Sequence, residues 1–277
     1  MPYDLIDTHC HLAFNAFDDS WKEVVSRARE KRIAMIAVGA ARETSEKSIQ
    51  IAAASTGVYA AIGLHPTHVE DEDFFVQGES ASGAGEAWCA KLATHPSVVA
   101  IGECGIDHYR IDQERRDEIL AKQEVLLQAH VQIAQEHALP LILHTRDGQT
   151  ESHGQAYSHL YRLLKEYGYY NGVLHCFGGS WDEARQFLDL GFFISFTGIV
   201  TFKNATEELK EVVRKVPQDR FMLETDSPYL APQAYRGKTN EPAYVSLVAR
   251  TVAQIRGEDY TTVAAYTTQN AVRFFGI

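Results

Sequence analysis

Along the chain, short apolar runs alternate with longer stretches in which apolar positions recur every three or four residues. The runs fall at residues 5–8, 35–38, 58–62, 98–102, 141–144, 173–175, 192–196 and 221–223. They lie roughly 20–40 residues apart, which is room for a strand and a crossover helix. Continuous rather than alternating apolar character suits parallel strands covered on both faces. Eight such units predict an α/β protein, a (β/α)8 barrel spanning residues 1–277 as one domain, over a doubly wound sheet.

The intervening stretches carry helix signals. Ser20 stands three residues before Glu23, the spacing of a capping box, and Trp21, Val24, Val25 and Ala28 form an apolar stripe behind it. Ser180 and Glu183 repeat the box, and Gly191 suits the stop of that helix. Thr206, Glu207 and Glu208 place acids at the positive end of another helix. Residues 115–137 contain neither Gly nor Pro and predict one long helix. Residues 77–87 predict a surface loop, and residues 148–157 a polar insertion after the fifth strand.

Charge narrows the partners. The formal net charge of -11 argues against a broad basic surface for nucleic acid, though a strand held locally by cations is compatible with it. Cys10, Cys89, Cys104 and Cys176 show no Cys-x-x-Cys spacing and predict reduced, mostly buried thiols in a cytoplasmic protein. The first residues lack the pattern of a signal peptide, and the longest apolar stretch, residues 33–41, is too short to span a bilayer. Nothing points to a membrane or an obligate protein partner.

The chemistry lies at the ends of the predicted strands. His9 and His11 follow the first strand, and a two-residue spacing puts both imidazoles on one side of it. Glu103 ends the fourth, His144 the fifth and His175 the sixth, and Asp226 follows the eighth. In a parallel barrel these ends converge on one rim. The set predicts two divalent cations (Mg, Mn or Zn), with His9, His11 and Asp226 on one, His144 and His175 on the other, and Glu103 spanning both. Asp226 doubles as the general base, so that Glu103 and Asp226 are the catalytic residues. His65, after the third strand, is a candidate substrate contact, and so are the rim cations Arg146, Lys203, Arg236 and Lys238. Tyr109, Phe177 and Tyr229 are candidates for base stacking or for packing. His130 and His137 read as structural or solvated, and His153 and His159 as exposed.

Together the segments Asp7-Thr-His-Cys-His-Leu12, Gly63-Leu-His-Pro66, Gly102-Glu-Cys-Gly-Ile-Asp107, His144-Thr-Arg146, His175-Cys-Phe177, Thr201-Phe-Lys-Asn-Ala205, Glu224-Thr-Asp-Ser-Pro-Tyr229 and Arg236-Gly-Lys-Thr-Asn-Glu-Pro242 resemble the TatD family of metal-dependent deoxyribonucleases. The resemblance runs through nearly the whole chain. It implies a metal-dependent nuclease with DNA as substrate, a 3′–5′ exonuclease on single-stranded or damaged DNA, with ligands matching at His9, His11, Glu103, His144, His175 and Asp226. Ala13 and Phe14 stand where the family commonly has an acid, and His108 intervenes before Tyr109 where an aromatic is usual. The rival reading is a hydrolase of a small amide, lactone or phosphoester on the same metals. A third is a binding protein with a structural metal.

Overall fold

The computed structural model describes residues 2–70, 84–109, 111–149 and 153–277. Eight parallel strands form one sheet in sequential order: β1 (Leu5–Cys10), β2 (Ile33–Val38), β3 (Val58–Ile62), β4 (Val98–Asp107), β5 (Leu141–Arg146), β6 (Gly172–Leu174), β7 (Phe193–Phe196) and β8 (Phe221–Leu223). Between and after them run α1 (Trp21–Glu30), α2 (Arg42–Ala54), α3 (Ala84–Ala93), α4 (Arg116–His137), α5 (Gln155–Tyr167), α6 (Trp181–Asp189), α7 (Glu207–Lys215), α8 (Val245–Arg256) and α9 (Tyr260–Phe275). A parallel bridge between Cys10 and Ser227 brings β1 beside the segment after β8, so the barrel is nearly closed. The expected (β/α)8 architecture is therefore the one observed. No helix among the described residues is long and apolar enough to cross a membrane.

Every residue of β1, β2 and β4 is buried, as strands covered on both faces require. Alternate residues serve two layers. Ile33, Met35 and Ala37 pack toward the helices, while Ala34, Ile36 and Val38 join Ile6, Ile142, Val173, Phe193 and Met222 inside the barrel. Phe275 of α9 belongs to this inner cluster. α9 is tied to the N-terminal ends of the strands, where Asn270 Nδ2 donates to Phe221 O at 2.9 Å and Thr268 Oγ1 to Asp4 O at 3.2 Å. One end of the interior is thus plugged by apolar side chains. The other end is left for polar ones.

Two irregularities in pairing decide which side chains occupy that end. Asp7 lies opposite Met35 and Cys10 opposite Ala37, so β1 advances three residues while β2 advances two. β4 does the same against β5, where Ile101 faces Leu141 and Cys104 faces Leu143. An extra residue inverts the alternation beyond it. Cys10, Leu12, Cys104 and Ile106 accordingly join the outer layer, and His9, His11, Glu103 and Asp107 turn inward. Gly105, just past the second bulge and paired with His144, lets β4 lie close against β5. Its φ is +146°, and a Cβ there would lie 2.1 Å from the backbone oxygen of His144.

Several local expectations change. His9, Glu103 and His144 lie within strands rather than at their ends, because β1, β4 and β5 run further than their apolar runs. Ser20 makes no side-chain cap: its ψ of 1° departs from the extended geometry an N-cap needs. The Ser180–Glu183 box does form, and Thr206 caps α7 through Leu209 N at 3.2 Å. The loop expected at residues 77–87 lies outside the described residues up to 83, and residues 84–87 open α3 instead. Residues 150–152 of the insertion also lie outside, and residues 155–157 begin α5. His130 is structural, as expected: its Nδ1 donates to Leu126 O at 2.8 Å and its Nε2 accepts from Leu64 N at 3.0 Å, which anchors the segment carrying His65.

Gly105→Ala should destabilise the fold by more than about 2 kcal/mol, since the obstacle is backbone and the φ is unfavourable. A urea midpoint equal to that of the wild type would show that β4 and β5 separate without cost. His130 supplies a pH signature. Burial pushes its imidazole down to about 4 from 6.5, so the unfolded chain binds the extra proton between those values. Stability should fall by about 3 kcal/mol as pH drops through that window. His130→Gln should lack this component, and equal slopes in stability-versus-pH curves of the two proteins would contradict it.

Candidate metal centre

The inward-turned polar side chains meet around Glu103. Its Oε2 lies 3.5 Å from His9 Nε2 and 3.7 Å from His11 Nε2. Its Oε1 lies 2.9 Å from His144 Nδ1, 3.3 Å from His175 Nε2 and 3.6 Å from His65 Nε2. Asp226 Oδ1 completes the first set, 3.3 Å from His11 Nε2 and 3.8 Å from His9 Nε2. The carboxylate of Glu103 is thus shared between two groups of imidazoles, one oxygen to each. All six residues expected as ligands come together, and His65, expected to touch substrate, stands beside them.

Outer hydrogen bonds fix which ring nitrogens face the centre. His11 Nδ1 donates to Val38 O at 3.0 Å, so the lone pair of a neutral ring sits on Nε2, toward His9 and Asp226. His175 Nδ1 donates to Glu224 Oε1 at 2.9 Å, leaving Nε2 for the centre. His144 Nε2 donates to Asp107 Oδ2 at 2.9 Å, leaving Nδ1. His9 Nε2 faces His11 Nε2 at 3.2 Å, while its buried Nδ1 has no partner among the described residues. Lone pairs therefore face carboxylate oxygens, and acceptor against acceptor requires a cation between them. Protons are one such cation. Burial opposes a charge on His175, but Glu224 and Glu103 outweigh it and hold the ring up at about 10. His11 and His144 are raised against burial in the same way, by Asp226 and by Asp107 with Glu103. The cost of burial is overcome for Glu103 too, whose carboxyl the neighbouring imidazoles hold well below its ordinary value. A divalent ion with N and O ligands satisfies the same geometry. His9, His11 and Glu103 offer ligand atoms within 4.8 Å of one another, and so do His65, Glu103 and His144.

Asp7, Asp107 and Glu224 were not assigned from sequence, and each positions a candidate ligand. Asp107 and Glu224 hold the outer nitrogens of His144 and His175. Asp7 accepts from Thr225 N at 2.8 Å and Thr225 Oγ1 at 2.6 Å, which clamps β1 to the segment bearing Asp226. A signal was present: Asp7 stands two residues before His9, and Glu224 two before Asp226. Asp226 itself has a left-handed φ of 56°, a conformation costly for a non-glycine residue. Backbone bonds from Asp226 N to His9 O and from Tyr229 N to Asp226 O, both 2.9 Å, secure it.

The candidate substrate cations fall in two places. Arg146 is exposed and lies over the Tyr109 ring, 3.8 Å from its centroid. On the opposite flank Arg236 lies 3.9 Å over Phe202, next to the exposed Lys203, with the exposed Lys238 two residues on. Of the stacking candidates, Phe177 is buried against Tyr157, a packing role. Tyr229 is 54% exposed. Phe14 stacks on the His11 ring at 4.2 Å with its neighbour Tyr229 edge-on at 6.3 Å, so a residue that departs from the family's usual acid shapes the rim. His159, expected to be exposed, is instead tucked between Glu124 and His108.

Glu224→Gln should weaken divalent-cation binding by about 10–100-fold without unfolding the chain, because the outer partner orients the ligand and raises its basicity. Competition against a chromophoric chelator reads the affinity, and wild-type affinity would detach His175 from the cation site.

The chain as a whole has counterparts among known proteins. Residues 6–276 match the family model described as TatD related DNase. The chain is 37% identical, over 99% of both chains, to a metal-dependent hydrolase, YabD, of Bacillus subtilis. It is 34% identical to a 3′-5′ ssDNA/RNA exonuclease, TatD, of Klebsiella pneumoniae, over 99% of this chain and 98% of that one. The crystal structure of YjjV, a TatD homologue from Escherichia coli, superposes over 100% of both chains with a TM-score of 0.86 and 27% identity. The chain belongs to the TatD family and is a metal-dependent hydrolase.

Proposed function

We propose that the protein is a nuclease that removes nucleotides from the 3′ end of single-stranded DNA, using two divalent ions. His9, His11 and Asp226 would hold one ion, His144 and His175 the other, and Glu103 both. The observation that carries this reading is the division of the Glu103 oxygens between two imidazole groups. Ions so held supply charge neutralisation at a phosphodiester and a more acidic water.

The chain's own groups account for the rest. Burial disfavours the Asp226 carboxylate, yet His11 and His175 hold it below its ordinary value, so it is ionised near neutrality and can accept a proton from an attacking water. His65 Nδ1 accepts from Thr67 N at 3.2 Å, so the hydrogen of the neutral ring sits on Nε2, facing the centre. Burial, with His144 adding to it, keeps that ring neutral, down at about 3. It is therefore a fixed donor for a phosphate oxygen. Arg146 on one flank and Lys203, Arg236 and Lys238 on the other would take neighbouring phosphates. The exposed face of Tyr229, with Phe14 beside it, suits an unpaired base. The exonuclease named among the relatives supports the polarity and the strand.

The test is purified protein with Mg, Mn or Zn on 3′- and 5′-labelled single strands, beside a panel of small esters and lactones. Stepwise loss from the 3′ end, abolished by chelation, is the expected outcome. Cleavage that survives excess chelator, or turnover of the small esters alone, would overturn the proposal. Arg146→Ala should raise KM for the strand about tenfold, its exposure discounting the full value of a charge-assisted contact, while metal content stays the same. An unchanged KM would place the strand elsewhere.

A further inference from the structure

Beside the metal centre lies a second concentration of imidazoles. A cleft of about 440 Å³ is lined by His108, Arg116, His153, Gln155, Ser158 and His159, among others. Arg116 opens α4 and Gln155 opens α5. Helices of a parallel barrel begin at the end where its strands finish, so the cleft shares the face of the metal centre. The two regions are joined through β4. Asp107 holds His144, and His108, the next residue, points into the cleft and donates its N–H to Arg146 O at 2.8 Å.

The hydrogen bonds among the described residues linking Arg116 to Glu124 run in one direction. Arg116 Nη2 approaches His108 Nδ1 at 3.5 Å, His108 Nε2 lies 3.0 Å from His159 Nδ1, and His159 Nε2 lies 2.6 Å from Glu124 Oε1. A guanidinium can only donate and a carboxylate only accepts. Neutral rings therefore pass the chain outward from Arg116 to Glu124. Arg162 also bonds Glu124 at 2.9 Å, so the acid at the far end of the chain is matched by a cation of its own. Asp117 lies 3.9 Å from Arg116, and Glu183 lies 3.7 Å from His153. Asp147 caps α5 through Gly154 N and Ala156 N, both at 2.8 Å, so these backbone donors are spent and a ligand would meet side chains. Those side chains are a guanidinium, an imidazole, a hydroxyl and an amide. Donors converging from several directions suit the tetrahedral oxygens of a phosphoryl group better than a planar carboxylate, and a guanidinium binds phosphate in bidentate fashion.

We propose that this cleft is a second phosphoryl-group subsite, anchored by Arg116 and taking a backbone phosphate of the strand whose scissile bond lies at the metal centre. The strand as source rests on the nuclease reading above; the affinity of the cleft for a phosphoryl group does not. Buried His108 gives this chain an imidazole where its family commonly has an aromatic, so the subsite is a feature of this chain's own sequence.

The full chain, loaded with metal and labelled with 15N in its histidines, tests this in two arms. Inorganic phosphate should shift the imidazole resonances of His108 and His159 in the wild type. Arg116→Ala should weaken that response about tenfold and Arg116→Lys restore part of it. In the second arm, Arg116→Ala should raise KM for a single strand about tenfold more than KM for bis(4-nitrophenyl) phosphate, whose single phosphoryl group cannot occupy the centre and the cleft at once. A phosphate response with no effect specific to the strand would make the ligand free phosphate or a nucleotide and overturn the backbone assignment. If no strand is cleaved at all, the nuclease reading fails while the phosphate arm still decides the cleft. The absence of any shift at His108 and His159 with either phosphate or a phosphorothioate strand overturns the subsite.

Discussion

The carboxylate of Glu103 is the constraint around which the barrel rim is arranged. It is buried and held ionised, and an isolated buried carboxylate is costly. Its neighbours are imidazoles whose outer hydrogens are committed elsewhere: His11 to Val38 O, His144 to Asp107 and His175 to Glu224. Each of those bonds aims a lone pair at an oxygen. The fold thus brings together atoms that repel one another unless a positive charge lies between them. Glu103, Asp107, Glu224 and Asp226 are four carboxylates around these rings, and positive charge must balance them, carried by protons on imidazoles such as His175 or by divalent cations. The cation requirement follows from hydrogen-bond direction alone.

Placing that acid depends on backbone detail far smaller than the barrel. Without the bulge in β4, the alternation that buries Ala100 inside the barrel would send Glu103 toward the helices. The bulge in β1 does the same service for His9 and His11. Each bulge breaks the ladder locally, and each is held by a substitute. Thr225 clamps Asp7 beside the first, and Glu103 N donates to Gly39 O at 3.2 Å beside the second. The site is therefore bound to the places where the sheet is least regular, a common location for bulges.

This explains what the sequence shows and what it hides. The eight apolar runs are legible because parallel strands buried on both faces need continuous apolar character, and the six candidate ligands because polar residues stand out beside them. Strand ends are not legible there: β4 continues through Glu103 to Asp107 and β5 through His144 to Arg146, polar residues that apolar periodicity excludes. The bulges are invisible too, since a bulge changes register without changing composition. Ser20 failed as a cap although its spacing was right, because the chain enters α1 from a turn with the wrong ψ. Asp107 and Glu224 sat inside recognised segments, but their role depends on which nitrogen of His144 and His175 they meet, a matter of three dimensions.

Charge links the two regions of the rim. The chain carries a net charge of -11, so a polyanion is repelled from most of its surface and any attraction must be local. Among the described residues, exposed cations next to the centre lie on opposite flanks, with Arg146 and Tyr109 toward β5 and Arg236, Phe202 and Lys203 toward β8. Each flank pairs a guanidinium with an aromatic ring, which pre-orders the cation and presents a planar face beside it. A flexible strand has both a charged backbone and planar bases. A rim with those two kinds of partner on either side of the candidate cation centre would constrain a strand at several points, whereas a small ester would use the centre alone. The cleft at Arg116 extends the same logic one step outward on the β4 side, where His108 connects it by a single peptide unit to the acid that orients His144.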